Sequence, residues 1–235
     1  MERQAFLSNI ATRLQRPINT TEKPERHWQH RPVEKHYTPM NQDELLAALK
    51  EQCKNIHTDV VEATTANVGD VLKEVVAHYG NGAVSLWDDP RYEEYGLTSL
   101  LKTEWPKDGV DVYTWSEQKS REQNFAEANR ARVGLAISEY CLTESGTVVL
   151  YSAAGAGKAV GLLPHAFVAL IPKSTIVARM TQAAEKIQQR VDRGELLPHA
   201  IDFVSGPSNS ADIEMKLVVG VHGPVQATYI VLTDC

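Results

Sequence analysis

The sequence predicts an α/β domain built around a largely parallel sheet, preceded by an N-terminal helix and an extended arm. Two observations support this prediction: the spacing of apolar residues, and the length and composition of the chain. From residue 41 onward, apolar positions at helical spacing alternate with short runs rich in valine, isoleucine and leucine. The chain has 235 residues and 43% hydrophobic content, which is enough for one large domain with its own core. We therefore expect the α/β domain over residues 41–235 and the helix and arm over residues 1–40.

The N-terminal segment differs from the rest in pattern and charge. Phe6, Ile10 and Leu14 recur every four residues, which predicts a helix over residues 1–15 with one apolar stripe. Residues 16–40 are polar and contain four prolines, as is typical of an extended arm. Residues 1–40 hold seven basic and four acidic residues, whereas the remainder holds 17 and 26. This asymmetry, together with the helix and the aromatic residues, favours docking of the arm on an acidic surface, its own or a partner's, over a loosely ordered tail.

The body divides into a first half of alternating elements and a second half rich in strands. In the first half, helices are predicted near residues 45–49, 68–79, 97–101 and 119–131, and strands at 59–61, 83–87, 110–113 and 133–137. In the second half, strands are predicted at residues 147–151, 165–171, 174–178, 201–204, 215–221 and 227–232, with one helix at 180–191. Alternation of strand and helix is typical of a parallel sheet, and closely spaced strands predict hairpins inserted into or flanking it.

Composition excludes several classes of protein. A net charge of −6 argues against a dedicated nucleic-acid binder, because phosphate recognition needs a basic surface. No apolar run approaches the length of a transmembrane helix, and no secretory signal is evident at the N-terminus. The three cysteines, Cys53, Cys141 and Cys235, are too widely spaced for a disulfide framework or an iron–sulfur motif. We therefore expect a cytoplasmic protein that carries no cofactor of its own.

A glycine-rich stretch at residues 155–161 resembles nucleotide-binding loops but departs from both known patterns. A P-loop needs glycine where Ser152 stands and a hydroxyl residue where Ala159 stands. A dinucleotide fingerprint needs its third glycine one residue before Gly161. The sequence also has no G-x-S-x-G nucleophile elbow, which disfavours a serine hydrolase of that class. We expect instead a flexible loop over a cleft, with Lys158 available to an anionic group.

Residues 205–224 concentrate candidate functional groups. Residues 206–208 form a predicted turn. Ser208, in this turn, or Ser210, just after it, can cap a short helix beginning near Ala211. Asp212 would then lie at the positive end of that helix. The apolar run at residues 217–219 predicts a buried strand, and glycines on both sides of it predict sharp turns. An ordinary strand between two turns would explain the same pattern.

Three residues are the candidate catalytic groups: Glu144, Glu214 and His222. Glu144 precedes a strand, where a carboxylate can orient a ligand, act as a base or simply accept local backbone N–H groups. His222, in a tight turn, can serve as acid, base or ligand. No metal is expected, because neither H-x-H nor H-E-x-x-H occurs. The candidate ligand-binding residues are Lys158, His165, Ser208, Asp212 and Gly223.

Several of these segments resemble the LUD-domain family. The run SNSADIE at residues 208–214, leading into GVHGP at 220–224, is similar to the family's C-terminal signature, and the fit is close for its lactate utilization protein C branch. Residues 143–147 resemble its Glu-Thr-Gly-Thr turn, with Ser145 in place of threonine. Its Leu-Pro segment and its N-terminus resemble residues 162–165 and 13–17. The family often carries arginine near residues 155–161, where Lys158 is the basic residue here.

The resemblance implies a three-layer α/β/α fold similar to the sugar-phosphate isomerase and CoA-transferase-like superfamily. It also implies a role in oxidising L-lactate to pyruvate alongside two iron–sulfur partner proteins, which would hold the clusters. Two other functions stay open. The chain can be an enzyme or binder of a small carboxylate or CoA-like ligand, with Glu144, Glu214 and His222 lining the pocket. It can also be a regulatory or scaffold protein.

Overall fold

The computed structural model describes residues 2–18, 29–30 and 39–235, and the chain divides into two compact units, residues 1–38 and 39–235. In the first unit, helix α1 spans Arg3–Arg13, as the apolar spacing predicts. Its stripe is open to solvent: Phe6, Ile10 and Leu14 are 53%, 37% and 57% exposed. Most of the predicted arm, residues 19–28 and 31–38, lies outside the described residues, so its extended form and its docking stay predictions.

The second unit is built on helices and strands that follow the predicted order. The helices are α2 (Gln42–Asn55), α3 (Val68–His78), α4 (Arg91–Glu94), α5 (Trp105–Lys107), α6 (Arg121–Arg130), α7 (Ala159–Leu162) and α8 (Met180–Asp192). The strands are β1 (Thr58–Ala63), β2 (Val84–Leu86), β3 (Val112–Thr114), β4 (Val133–Ile137), β5 (Tyr140–Leu142), β6 (Thr147–Ser152), β7 (Ala166–Pro172), β8 (Ile176–Val177), β9 (Ala200–Ser205), β10 (Asn209–Ile213), β11 (Lys216–Val219) and β12 (Gln226–Leu232). A π-helical turn covers Leu100–Glu104, and a 3-10 turn covers Lys173–Thr175.

Six parallel strands form the central sheet, in the order β1-β12-β7-β4-β2-β3. Strands β4 and β7 are buried at every position, as continuous apolar runs in a parallel sheet require. Helix α2 packs against β1 and helix α3 against β12. A capping box between Asn41 and Glu44 fixes the start of α2. The predicted α/β fold with a mostly parallel central sheet is confirmed.

A second sheet of four strands, in the order β8-β5-β6-β9, accompanies the central one. Strand β6 pairs antiparallel with both β5 and β9, whereas β5 and β8 are parallel. The sequence does not predict β5, because only Ser138 and Glu139 separate it from β4 and no turn motif marks the break. The strand predicted at residues 174–178 is shorter than expected. No helix in the described part of the chain is long and apolar enough to cross a membrane.

The buried Tyr229 side chain joins the two sheets. Its hydroxyl accepts the Gly206 N–H at 3.0 Å and donates to the Gly146 carbonyl at 3.0 Å, so β12 is tied to the end of β9 and to the β5–β6 turn. Burial raises the pKa of Tyr229 well above its usual range, so the phenol remains a donor. Gly206 has a φ of +66°, and an added Cβ would lie 2.6 Å from the Ile56 carbonyl oxygen. Glycine is therefore required at this position.

Replacing Tyr229 with phenylalanine is expected to lower the free energy of unfolding by about 1–3 kcal/mol. The change leaves a buried N–H and a buried carbonyl without their partner. Urea unfolding followed by circular dichroism would measure the difference. Tyr113→Phe is the matched control, because the Tyr113 hydroxyl donates to Asp111 at an exposed position, at 3.3 Å. If the Tyr229 variant is as stable as the native chain, the Tyr229 hydroxyl does not hold the two sheets together.

The prediction of a helix near Ala211 is wrong. Residues 209–213 are strand β10, which pairs antiparallel with β11, and Ser210 lies opposite Val218. Ser208 and Ser210 therefore cap no helix, and Asp212 is an exposed strand residue rather than a helix cap. Cross-strand pairing supplies partners to the backbone groups that a cap would otherwise have satisfied.

Two residues with left-handed backbone conformation make this segment a hairpin rather than a helix. Glu214 and Met215 have φ values of 53° and 55° and close the β10–β11 hairpin with a two-residue turn. The strand predicted at residues 217–219 exists, but its burial was predicted wrongly. Leu217 is 63% exposed, since the hairpin pairs with neither of the two sheets.

Candidate functional site

Glu144 lies in the turn between β5 and β6. Its backbone N–H donates to the Ala178 carbonyl at 3.0 Å, and its carboxylate pairs with Arg179, which precedes α8. The side chain is 54% exposed, so the pair is an ordinary surface interaction of small energetic weight. Glu144 therefore connects the turn to the start of α8, and its carboxylate remains accessible.

Lys158 immediately precedes α7 and pairs with Asp202 of β9 at 2.8 Å. Asp202 also accepts the Ser152 hydroxyl at 3.2 Å. The ammonium group that the sequence offers to an anionic ligand therefore already has a carboxylate partner. An incoming anion would compete with Asp202 for it.

Ser208, Gly223 and His165 lie near one another, beside the amino ends of β7 and β12. The Ser208 N–H donates to the Pro224 carbonyl at 2.8 Å, and the Val225 N–H donates to the His165 carbonyl at 2.9 Å. A Cβ on Gly223 would lie 3.1 Å from the Ser208 Cβ, so the two turns are in close contact. Burial, with a smaller contribution from a nearby arginine, lowers the pKa of His165. Its imidazole is therefore neutral at physiological pH.

The three candidate catalytic residues lie on three different turns. Glu144 is in the β5–β6 turn, Glu214 is at the tip of the β10–β11 hairpin, and His222 is in the turn between β11 and β12. Glu214 and His222 are both exposed. A site formed jointly by these three residues stays a prediction.

The arrangement of the central sheet indicates a different location for ligand binding. In parallel α/β sheets, ligands bind outside the carboxyl ends of the strands, where the strand order reverses. Here the chain runs from β2 to β3 on one side and from β4 to β7 on the other, so the reversal falls between β2 and β4. A cavity of about 430 Å³ lies at this end of β2 and β3. Its lining residues are Leu86, Trp87, Asp88, Asp89, Pro90, Tyr92, Glu93, Thr98, Leu101, Lys102, Val112 and Thr114.

The glycine-rich loop is fastened beside this crevice by two tryptophans. The Trp87 indole N–H donates to the Gly157 carbonyl at 3.0 Å, and the Trp115 indole N–H donates to the Ala154 carbonyl at 3.1 Å. A Cβ on Gly157 would lie 2.2 Å from the Trp115 ring. Close packing on the Trp115 ring thus explains the glycine at position 157, without reference to a nucleotide.

An ion-pair network joins the carboxyl ends of β2 and β4. Arg91, at the start of α4, pairs with Asp89 at 2.6 Å and with Glu139 at 2.8 Å. Burial opposes its charge, but the hydrogen bonds and charges of the two carboxylates outweigh that effect and raise the pKa of Arg91. Sequence reasoning missed this network. The available signal was the run WDDPR at residues 87–91, directly after a predicted strand.

Comparison with known proteins agrees with this architecture. The family model for the LUD domain matches residues 46–232. The chain belongs to the LUD domain family. The matched range covers most of the second unit and includes both the glycine-rich loop and residues 205–224. The resemblance read from the sequence is confirmed.

Similar proteins cover nearly the whole chain. Lactate utilization protein C from Geobacillus sp. (strain WCH70) is 52% identical over 232 residues, which are 99% of this chain and 96% of that protein. Lactate utilization protein C from Bacillus subtilis (strain 168) is 45% identical over 231 residues, 98% of this chain and 96% of that protein. The crystal structure of a DUF162 family protein from Deinococcus radiodurans is 20% identical, with a TM-score of 0.57. It covers 83% of this chain and 100% of that one, and the likeness shows a shared fold.

Proposed function

We propose that this LUD-domain protein is a cytoplasmic component of an L-lactate utilization system and supports oxidation of L-lactate to pyruvate with two iron–sulfur partner proteins. The supporting observation is similarity over 99% of its length to a protein named lactate utilization protein C. Oxidation of L-lactate to pyruvate releases two electrons and two protons, so the system needs an electron acceptor. We assign the electron-carrying clusters to the partner proteins.

The cysteines of this chain support that division of labour. Cys53 and Cys141 are buried, and burial raises the pKa of the Cys53 thiol to about 12. Both side chains belong to the buried hydrophobic core of the second unit. These two side chains are therefore better suited to packing than to cluster ligation.

Deleting the gene in the source organism tests the proposed function. Growth on L-lactate as the sole carbon source is expected to stop, while growth on pyruvate continues, because only the step from lactate to pyruvate is lost. A plasmid copy of the gene should restore growth on lactate. Normal growth of the deletion strain on lactate would overturn the proposal.

We further propose that the partner proteins contact helix α1. Its three-residue stripe is exposed, and a large apolar patch on a helix favours burial in a partner's groove. Replacing Phe6, Ile10 and Leu14 with glutamine keeps helix propensity but removes the stripe. Recovery of the iron–sulfur proteins in a pull-down is expected to fall about tenfold, the equivalent of about 1.4 kcal/mol.

The control for this experiment is Leu196→Gln, which removes a leucine that is 95% exposed outside α1. It should leave partner recovery unchanged. Equal recovery with the α1 triple variant and the native chain would remove the helix from the interface.

The crevice beside β2 supports a second candidate function, binding of a small carboxylate or CoA-like ligand. Its volume of about 430 Å³ falls within the usual range for small-molecule sites. Thermal unfolding with lactate, pyruvate or CoA tests this function, because a ligand that binds the folded state raises the melting temperature. A regulatory or scaffold role instead predicts that Glu214→Gln and His222→Asn leave growth on lactate intact and that no ligand shifts the melting temperature.

A further inference from the structure

The side chain of Tyr151, on β6, ends in a buried hydroxyl that forms no hydrogen bond of normal geometry with the described residues, although the Arg190 guanidinium lies close enough to it to offset part of the rise in its pKa that burial causes. The residue is 9% exposed. Leaving such a group unpaired destabilises the folded state, so an unpaired hydroxyl in a native structure calls for an explanation. Burial raises the pKa of Tyr151, so the phenol keeps its proton at neutral pH and can donate it in a hydrogen bond.

Two cations of α8 lie near the rings of Tyr151 and its neighbour Tyr140. The guanidinium carbon of Arg190, on α8, lies 5.1 Å from the centroid of the Tyr151 ring. The neighbouring Tyr140 ring lies edge-on at 6.4 Å, and the Lys186 ammonium is 5.9 Å from the Tyr140 ring centroid. Helix α8 thus places one cation over each of two tyrosines, in a chain whose net charge is −6.

Arg190 and Arg193, which directly follows α8, already hold a carboxylate. Arg190 and Arg193 each donate from Nε to the carboxylate of Glu195, at 2.7 Å in both cases. Glu195 is 38% exposed and follows Gly194, whose φ of +77° ends the helical path of the chain. A carboxylate between two guanidinium groups is a strong charge-assisted arrangement. The local sequence therefore supplies both an anion site and an internal occupant for it.

This cluster adjoins the point where the strand order reverses. Arg190 lies 3.9 Å from Glu139, and Glu139 is also the partner of Arg91. Arg91 in turn holds Asp89, which lines the crevice. The cluster is thus linked through ion pairs to the end of the sheet where parallel α/β proteins bind their ligands.

We propose that Arg190, Arg193 and Tyr151 form a binding site for a small carboxylate, and that the Glu195 carboxylate occupies the site when the ligand is absent. The ligand carboxylate replaces that of Glu195 between the two guanidinium groups. The Tyr151 hydroxyl lies on the Arg190 side of this site, where the tethered Glu195 carboxylate does not bond it. A ligand carboxylate is not tethered to the chain, so one of its oxygens can shift toward Arg190 and accept the Tyr151 hydroxyl. Because the hydroxyl is buried, the site suits a short 2-hydroxy or 2-oxo acid. This choice of ligand class rests on the proposed function.

Isothermal titration of the full-length protein tests the site, with L-lactate, pyruvate, lactamide and inorganic phosphate as probes at constant ionic strength. L-lactate or pyruvate is expected to bind, whereas lactamide, which lacks the carboxylate, is not. Arg190→Gln should weaken binding at least tenfold. Tyr151→Phe should weaken it severalfold while leaving the melting temperature of the ligand-free protein equal or higher, since an unpaired hydroxyl is removed.

Glu195→Gln provides the most specific readout. If the Glu195 carboxylate competes with the ligand, removing its charge should tighten binding severalfold. Glu185→Gln, at an exposed position on α8, is the matched control and should leave the affinity unchanged. A purely structural role for Glu195 predicts no gain in affinity.

Four results would overturn the site: no carboxylate binding by either the native protein or Glu195→Gln, binding that Arg190→Gln leaves intact, lactamide binding as tight as lactate binding, or phosphate binding as tight as lactate binding. Failure here is distinguishable from failure of the proposed function. If the deletion strain cannot grow on lactate but no carboxylate binds, the site is wrong and the proposed function stands. If carboxylates bind but the deletion strain grows normally on lactate, the site stands and the proposed function fails.

Discussion

Gly134→Ala is expected to lower the free energy of unfolding by about 3 kcal/mol or more. Gly134 lies in β4, and a Cβ at this position would be 1.8 Å from the Val160 carbonyl oxygen and 3.0 Å from the Pro164 Cγ. The obstructing oxygen belongs to the backbone of α7, so a rotamer change cannot relieve the contact. Either α7 or the central strand must move, and overpacking of this kind destabilises a core by about 1–3 kcal/mol or more.

Urea unfolding of Gly134→Ala alongside Gly69→Ala would measure this effect. At Gly69, on α3, the nearest atom to an added Cβ is Leu100 Cδ2 at 3.9 Å, and alanine has the higher helix propensity. The control variant should therefore be as stable as the native protein or slightly more stable. Native stability of Gly134→Ala would mean that α7 does not pack rigidly on β4.

Arg91→Leu is expected to cost about 2–3 kcal/mol of unfolding free energy. The change leaves Asp89 and Glu139, whose side chains are 12% and 22% exposed, without their shared counterion. Breaking a fully buried pair costs about 3–5 kcal/mol. The expected value here is smaller, because the Arg91 side chain is 27% exposed and water screens the charges.

Chemical denaturation of three variants separates charge from geometry in this network. Arg91→Lys should be intermediate, because one ammonium group cannot reproduce the planar fork that engages two carboxylates. Arg121→Leu removes an exposed arginine from α6 and is expected to change stability by less than about 0.5 kcal/mol. If Arg91→Leu is as stable as Arg121→Leu, the network does not hold β2 and β4 together.

The segment that carries the family signature has a clear structural role. Gly206 lies under the Ile56 carbonyl, and an added Cβ on Gly220 would lie 1.8 Å from the Val225 side chain. These glycines let the chain pass close to Ile56 after β9 and close to Val225 before β12, with the hairpin between the two contacts. The resemblance therefore rests partly on residues that packing requires.

The central sheet was predictable because its signals are local. Continuous apolar runs at residues 133–137 and 166–172 indicate buried parallel strands, and the helical spacing of α3 is readable without its neighbours. The β10–β11 hairpin was not predicted correctly, since serine and aspartate favour both helix caps and turns. The positive φ values at Glu214 and Met215 arise only once the strands pair.

The candidate site could be predicted only in part. Lys158 and Glu144 were identified as charged groups beside turns, but their partners Asp202 and Arg179 lie 44 and 35 residues away. Tyr151 gave no signal at all, because a tyrosine in an apolar strand normally indicates only core packing. Its unpaired hydroxyl becomes evident only when every neighbouring group is in place.

The sequence by itself determined the fold class, the family and the order of most strands and helices, since periodicity and turn residues act over a few neighbours. Tertiary structure alone decided which groups meet. It placed the Tyr229 hydroxyl between two turns, the Arg91 guanidinium between two strand ends, and the Arg190 guanidinium over the Tyr151 ring. Contacts of this kind depend on the packing of segments far apart in the chain, and no local pattern encodes them.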